Sequence, residues 1–275
     1  MSAHAPTAET AMPNWTKHFD HIYCFHYLPD TGRVEGFTNE LRRVGILDSG
    51  IFSFVYTTPD PWEKKLMELC PNVAGRHASA LQFLNLGLAS ARTLREALGL
   101  GYERVLFLED DIRFLKDLDE LETALAATPD GYDIVQYDKF MGWDVTPESY
   151  RAMCEADAIN EFYFDAQGKN DSKPKELSSG GCFLATKRGM ENIHRALVEW
   201  RPVPMDGFLN MNGNRHAVAR KNLAVQIVYG DAMLWSYLQR EKANTHHKAY
   251  APMALKYEDY AVPDGYGYAA LTATE

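Results

Sequence analysis

Short apolar runs alternate with longer stretches of helical periodicity along most of this chain. HIYCFHYL (21–28) is rich in β-branched and aromatic residues and stops at Pro29-Asp30-Thr31-Gly32, which predicts a buried strand. Val34, Phe37, Leu41 and Val44 then recur as one helical stripe that Gly45 closes. IFSFVYTT (51–58) predicts another strand, ended by Pro59-Asp60-Pro61. From Arg76 to Leu98 the positions Leu81, Leu84, Leu88, Ala91, Leu94 and Leu98 keep helical spacing until Gly99 and Gly101. ERVLFLEDD is a short apolar strand running into acids, KDLDELETALAA a helix with Leu118, Leu121 and Leu125 on one face, and YDIVQYD a strand again. Alternation in this order predicts an α/β domain whose mainly parallel central sheet is flanked by helices.

The middle of the chain is less regular. Residues 142–178 mix polar and aromatic stretches, and GKNDSKPKE (168–176) reads as an exposed loop. SSGGCFLATKRGMENIHRAL predicts loop, short strand and helix, with Gly180-Gly181 letting the backbone approach something closely. NLAVQIVY (222–229) is the last strand. The expected division is a leader over 1–18, one domain over 19–248 and a Tyr-rich tail over 249–275, lying on the surface or acting as a lid.

Composition narrows the function. The chain has 275 residues, 46% hydrophobic and 24% charged, which is globular and long enough for a large core. A formal net charge of −10 argues against a nucleic-acid partner, which needs a basic stripe to displace counterions. A single nucleotide stays compatible, because one metal ion can offset a diphosphate. The 12% aromatic content suits stacking surfaces for sugars or bases, and equally a packed core. Cys24, Cys70, Cys154 and Cys182 form no Cys-x-x-Cys pair, so neither a zinc knuckle nor a disulfide framework is expected. The opening MSAHAPTAETAMPNW lacks an apolar core segment, and no apolar run reaches the ~18 residues of a spanning helix. A cytoplasmic protein is the expectation.

The strongest candidate for chemistry is Glu109-Asp110-Asp111 after VLFL. Ligands of open α/β sheets bind beyond the carboxyl ends of strands, where these acids fall. Successive residues of an extended chain alternate in direction, so Glu109 and Asp111 share a side. Two carboxylates on one side suit Mg²⁺ or Mn²⁺ completed by substrate phosphates. The plain alternative is that the acids flank a helix starting at IRFLKDL. Asp206, in VPMDGFLN, either caps a helix beginning at Gly207 or accepts a proton from an acceptor hydroxyl. His246, His247 and His216 are further metal-ligand candidates or simple polar residues, and Asp231 is a weaker carboxylate of the same kind. Arg42-Arg43 reads as the solvated face of its helix, while Arg33 is either a ligand contact or a surface charge. No G-x-S-x-G, H-E-x-x-H, G-x-x-x-x-G-K-[ST] or early G-x-G-x-x-G occurs.

Three stretches resemble glycosyltransferase family 25, the lipopolysaccharide and collagen galactosyltransferase-like group with a GT-A fold. They are IYCFHYLPDTGRVEGFTNELRRVGI, ALGLGYERVLFLEDDIRF, and GGCFLATKRGMENI followed by PMDGFLN. The first strand ends in Tyr27-Leu28 where the family has Asn-Leu, and Gly87-Leu88-Ala89-Ser90-Ala91 replaces a Gly-x-x-x-Ser-His pattern. The resemblance implies one GT-A-like domain and a metal-dependent nucleotide-sugar glycosyltransferase. Glu109 and Asp111 would hold Mn²⁺ (or Mg²⁺), with His246 as the added ligand from the residue reading. Arg33, Glu109 and Asp110 would face the donor, a UDP-sugar by preference, and Asp206 would be the acceptor-side base with inversion. The acceptor class implied is a glycan or a glycolipid of the lipopolysaccharide type, any membrane contact being made through it. Two other classes stay open: a metal-dependent phosphohydrolase using the same acids, and a non-catalytic glycan-binding module.

Overall fold

A computed structural model describes residues 12–27, 31–57, 78–139, 146–166, 180–199, 213–226 and 259–261. The elements in chain order are α1 (Trp15–His18), β1 (His21–Tyr27), α2 (Thr31–Arg43), β2 (Phe52–Thr57), α3 (Ala78–Gly99), β3 (Arg104–Glu109), β4 (Ile112–Phe114), α4 (Leu118–Ala126) and β5 (Ile134–Gln136). They continue with α5 (Pro147–Ala156), β6 (Tyr163–Asp165), β7 (Cys182–Thr186), α6 (Lys187–Glu199), β8 (His216–Ala219) and β9 (Ala224–Gln226). The expected α/β domain is present. Its central sheet has seven strands in the order β2-β1-β3-β7-β5-β8-β6, and β4 and β9 form a separate ribbon.

The sheet is mixed. β1 runs parallel to β2 and β3, and β5 parallel to β8, while β7 lies antiparallel between β3 and β5 and β6 is antiparallel to β8. The antiparallel β7 brings its amino end to the edge where β1, β3 and β5 end, since Leu108 pairs with Cys182 and Gln136 with Phe183. The inner strands are apolar on both sides because both faces of the sheet are covered. Ile22, Cys24, Leu106, Leu108 and Leu184 pack on one face with Phe37 and Leu41 of α2, with Val44 just after it, and with Leu121 and Leu125 of α4. Tyr23, Phe25, Val105, Phe107 and Phe183 fill the other with α3 and α6.

Predicted stripes match the buried ones in α2 and α4. In α3 the match is partial: Leu94 is fully buried, yet Leu88 is 44% exposed. Asp117 caps α4 by accepting from the N–H groups of Asp119 and Glu120, a contact worth ~1 kcal/mol. Gly45 ends α2 with φ 77°, the left-handed conformation that L side chains avoid.

Several stretches that looked peripheral are packed. Trp15, within the expected leader, is 2% exposed, and its indole N–H donates to the Val44 carbonyl at 2.7 Å. Tyr260, within the expected tail, is 1% exposed and donates to the Asn222 carbonyl at 2.7 Å. Aromatic rings with one polar handle suit such positions, because they bury area while keeping a hydrogen bond. The irregular middle contains α5 and β6, and β8 was hidden in a run too short and small-sided to read as a strand.

Arg43 corrects the reading of a solvated basic face. Its guanidinium donates to both carboxylate oxygens of Glu40, at 2.8 and 2.7 Å, and to the Leu115 carbonyl at 3.0 Å. Glu40 is 4% exposed and also accepts the Phe114 N–H at 2.8 Å. This partly buried ion pair clamps α2 onto β4, the segment that follows the acids.

Candidate active site

The acids terminate β3 at the carboxyl edge of the sheet. The chain turns at Asp110-Asp111 and enters β4, so IRF is strand and these acids do not flank a helix. The Glu109 N–H donates to the Gly181 carbonyl at 2.9 Å, which fixes the end of β3 against the start of β7. Ribbon pairing places Gln226 opposite Ile112. From there its side-chain nitrogen donates to Glu109 Oε2 at 2.5 Å and to Asp111 Oδ1 at 3.2 Å. The alternation expected from the sequence is thus realised: Glu109 and Asp111 share one amide, and Asp110 faces elsewhere. Asp110 meets Nδ1 of His26 on β1 at 2.5 Å, and both side chains are buried. His26 Nε2 is buried without a hydrogen-bond partner among the described residues.

A second polar group lies beside the first. Asp138 follows β5 and is fully buried, with the Asn222 amide donating to it at 3.3 Å. The orientation of that amide is set by Lys139, whose Nζ donates to Asn222 Oδ1 at 2.9 Å, to the Arg220 carbonyl at 3.4 Å and to the Ala219 carbonyl. Gly181 joins the two groups. A Cβ built on it would fall 2.5 Å from Asp138 Oδ2 and 3.0 Å from Gln226 Cγ. The Gly180-Gly181 pair therefore does permit a close approach, and its neighbours are two site side chains.

Burial pushes the Lys139 ammonium down to about 7, while the nearby Cys154 and Asp138 side chains limit the drop. An unfolded lysine holds its proton up to a pKa of ~10.4. Between those values the unfolded chain binds more protons than the folded one. The stability cost of this group is therefore greatest below pH 7 and is relieved as pH rises through the window. Lys139→Met is expected to flatten the rise by up to ~1.4 kcal/mol per pH unit. Urea midpoints of both proteins from about pH 7 to about pH 9 check this; equal slopes would refute it.

The cysteines beside the acids are not thiolates near neutrality. Burial, then the charges of Asp110, Glu109 and Asp111, push the Cys24 thiol up, and burial does the same for Cys182. Neither suits a metal or a nucleophilic role.

Of the remaining sequence candidates, Arg33 falls in the first turn of α2, where only its backbone is described. His216 is fully buried in β8 opposite Ile134, at the start of β5 and away from the acidic edge. Asp206, His246, His247 and Asp231 lie outside the described residues. Among the described residues no group of three or more His, Cys, Asp or Glu side chains has the arrangement to hold a metal by itself. No described helix is long and apolar enough to cross a membrane. A cavity of about 500 Å³ between β2 and α3 is lined by Tyr23, Tyr56, Arg92, Thr93 and Glu96 among others, and by none of the acids.

Sequence reading missed Asp138, Gln226, His26, Lys139 and Asn222. Asp138 carried the same signal as Glu109, an acid ending an apolar strand, in YDIVQYD. Gln226 and Asn222 carried none, because their role depends on a ribbon pairing between distant segments.

No protein-family model matches the chain, and no curated protein does either. Among solved structures, mannose-1-phosphate geranyltransferase from Thermus thermophilus is similar at 14% identity and TM-score 0.41, covering 72% of each chain. UDP-glucose pyrophosphorylase complexed with UDP-glucose is similar at 11% identity and TM-score 0.39, over 82% of this chain and 81% of that one. A glycosyltransferase involved in glycosylating the major capsid of PBCV-1 is similar at 12% identity and TM-score 0.38, over 80% of this chain and 98% of that one. The structural neighbours thus include glycosyltransferases and sugar-nucleotide enzymes, and at this distance the likeness carries nothing about this chain's chemistry.

Proposed function

We propose that this chain is a transferase that moves a sugar, galactose or another hexose, from a nucleotide-diphosphate donor to a hydroxyl of a glycan or lipopolysaccharide-type acceptor. The observation that supports it is the pair Glu109 and Asp111, whose oxygens converge on one point at the carboxyl edge of the sheet. That point holds the positive end of an amide, so its donor set and electrostatics suit a hard cation such as Mn²⁺ or Mg²⁺. Two carboxylates are the usual protein share for such an ion when phosphates supply further ligands. His246 is proposed as the additional protein ligand.

A bound cation would offset the charge growing on the departing diphosphate and orient it. The chain's own residues do the rest. Glu109 and Asp111 present oxygens on one side, while the His26 contact turns Asp110 away from them. The proposal keeps Asp110 and Arg33 as donor-side residues. Asp206 is proposed to take the acceptor proton, and attack from the face opposite the leaving group would invert the anomeric centre. The donor proposed is a UDP-sugar and the setting cytoplasmic.

A thermal-shift panel of nucleoside diphosphates and their sugars, with and without Mn²⁺, tests this reading. One nucleotide with Mn²⁺ is expected to stabilise the protein well beyond either alone, by ~2.7 kcal/mol at a hundred times its Kd. No Mn²⁺-dependent stabilisation by any of them would overturn the proposal. Phosphate release from simple esters without an acceptor would favour the phosphohydrolase reading instead.

A further inference from the structure

Resting on the metal reading above, we propose that the Gln226 side-chain amide holds the cation position until the donor arrives. The cation then enters together with the diphosphate of the donor rather than alone. One nitrogen reaches both carboxylates, at 2.5 Å to Glu109 Oε2 and 3.2 Å to Asp111 Oδ1. Both partners are acceptor-only oxygens when ionised, so the amide must turn its NH₂ to them, one N–H to each. A divalent ion bound by both oxygens needs contacts of roughly 2.0–2.2 Å to each. It cannot share that space with the nitrogen.

Gln226 is held in place from several directions. Its residue is 4% exposed, its backbone is paired with Ile112, and its stem lies against Gly181, where a Cβ would come within 3.0 Å of Cγ. Hydrogen bonds to charged acceptors are among the stronger kind, and a bare cation must break both while losing its own water. The diphosphate changes that balance by bringing more oxygens to the ion. Gln226 is thus a positioning residue that keeps the two acids together between turnovers, and its identity sets how selectively the site waits for the metal–nucleotide complex.

The test is Mn²⁺ binding by the full chain, read from loss of the free-ion electron paramagnetic resonance signal. It compares wild type, Gln226→Met and Gln226→Ala with and without UDP; the methionine keeps the stem volume and removes only the donor, should the alanine fail to fold. Wild type is expected to bind Mn²⁺ weakly alone and at least tenfold more tightly with UDP. Gln226→Met is expected to bind Mn²⁺ alone at least tenfold more tightly than wild type, so its UDP dependence shrinks. Wild type that binds with UDP, beside a Gln226→Met no tighter than wild type without it, overturns this inference and leaves the metal reading standing. No Mn²⁺ binding by any of the proteins in either condition overturns both.

Discussion

Replacing Asp111 by alanine is expected to abolish Mn²⁺-dependent stabilisation by the donor nucleotide and to lower transfer by ~10³-fold, while the fold survives. The size follows from what the side chain does. A cation acting on a leaving diphosphate contributes several kcal/mol, and ~1.4 kcal/mol is a factor of ten in rate. Glu109 alone cannot replace a pair whose oxygens meet at one point. Stability should fall far less than activity. Asp111 stands in a run of three carboxylates whose charges repel, and removing one relieves that repulsion while Gln226 keeps its 2.5 Å contact to Glu109. The measurements are nucleotide-dependent thermal shifts and turnover of the nucleotide sugar, with the urea midpoint as control. Undiminished Mn²⁺-dependent turnover in Asp111→Ala would sink the assignment of the acid pair.

Gly181→Ala is the second substitution with a large expected effect, this time on structure and site together. The added methyl would lie 2.5 Å from Asp138 Oδ2 and 3.0 Å from Gln226 Cγ, distances at which something must shift. Asp138 cannot swing freely, since it is buried and bonded to an Asn222 amide that Lys139 orients. Gln226 can yield only by leaving Glu109 and Asp111. Overpacking of this kind costs ~1–3 kcal/mol. The urea midpoint should fall accordingly, and Mn²⁺ should bind more tightly in the absence of UDP as Gln226 is pushed off the acid pair. If the strain runs through Gln226, the added loss from Gly181→Ala should be smaller in a Gln226→Ala background, a coupling that a double-mutant cycle reads directly. A Gly181→Ala protein within ~0.5 kcal/mol of wild type would show that the close approach is not a constraint.

Both substitutions sit where the legible and the hidden parts of this protein meet. The sequence marked β1 and β3 by apolar runs buried on both faces, and marked α2 and α4 by stripes such as Phe37, Leu41 and Val44. It also placed Glu109 and Asp111 on one side through the two-residue period of extended chain. These features are local, so a short window of sequence holds the whole signal. The missed strands are short ones, β4, β6 and β8, where so few residues show too little periodicity to separate strand from loop. Trp15 and Tyr260 were misplaced because polar, small-residue surroundings hide a single anchoring ring.

Local chemistry by itself determined the α/β alternation, the covered sheet, the acids at a strand's end and the glycine that must lie close to something. Tertiary structure alone decided what those acids meet. Gln226 lies 117 residues beyond Glu109 in the chain, and His26 lies 84 before Asp110. The antiparallel insertion of β7 between β3 and β5 puts Gly181 against Asp138, and the β4–β9 ribbon delivers Gln226. Pairing of distant strands depends on packing over the whole sheet, and no local pattern encodes which amide will face which carboxylate.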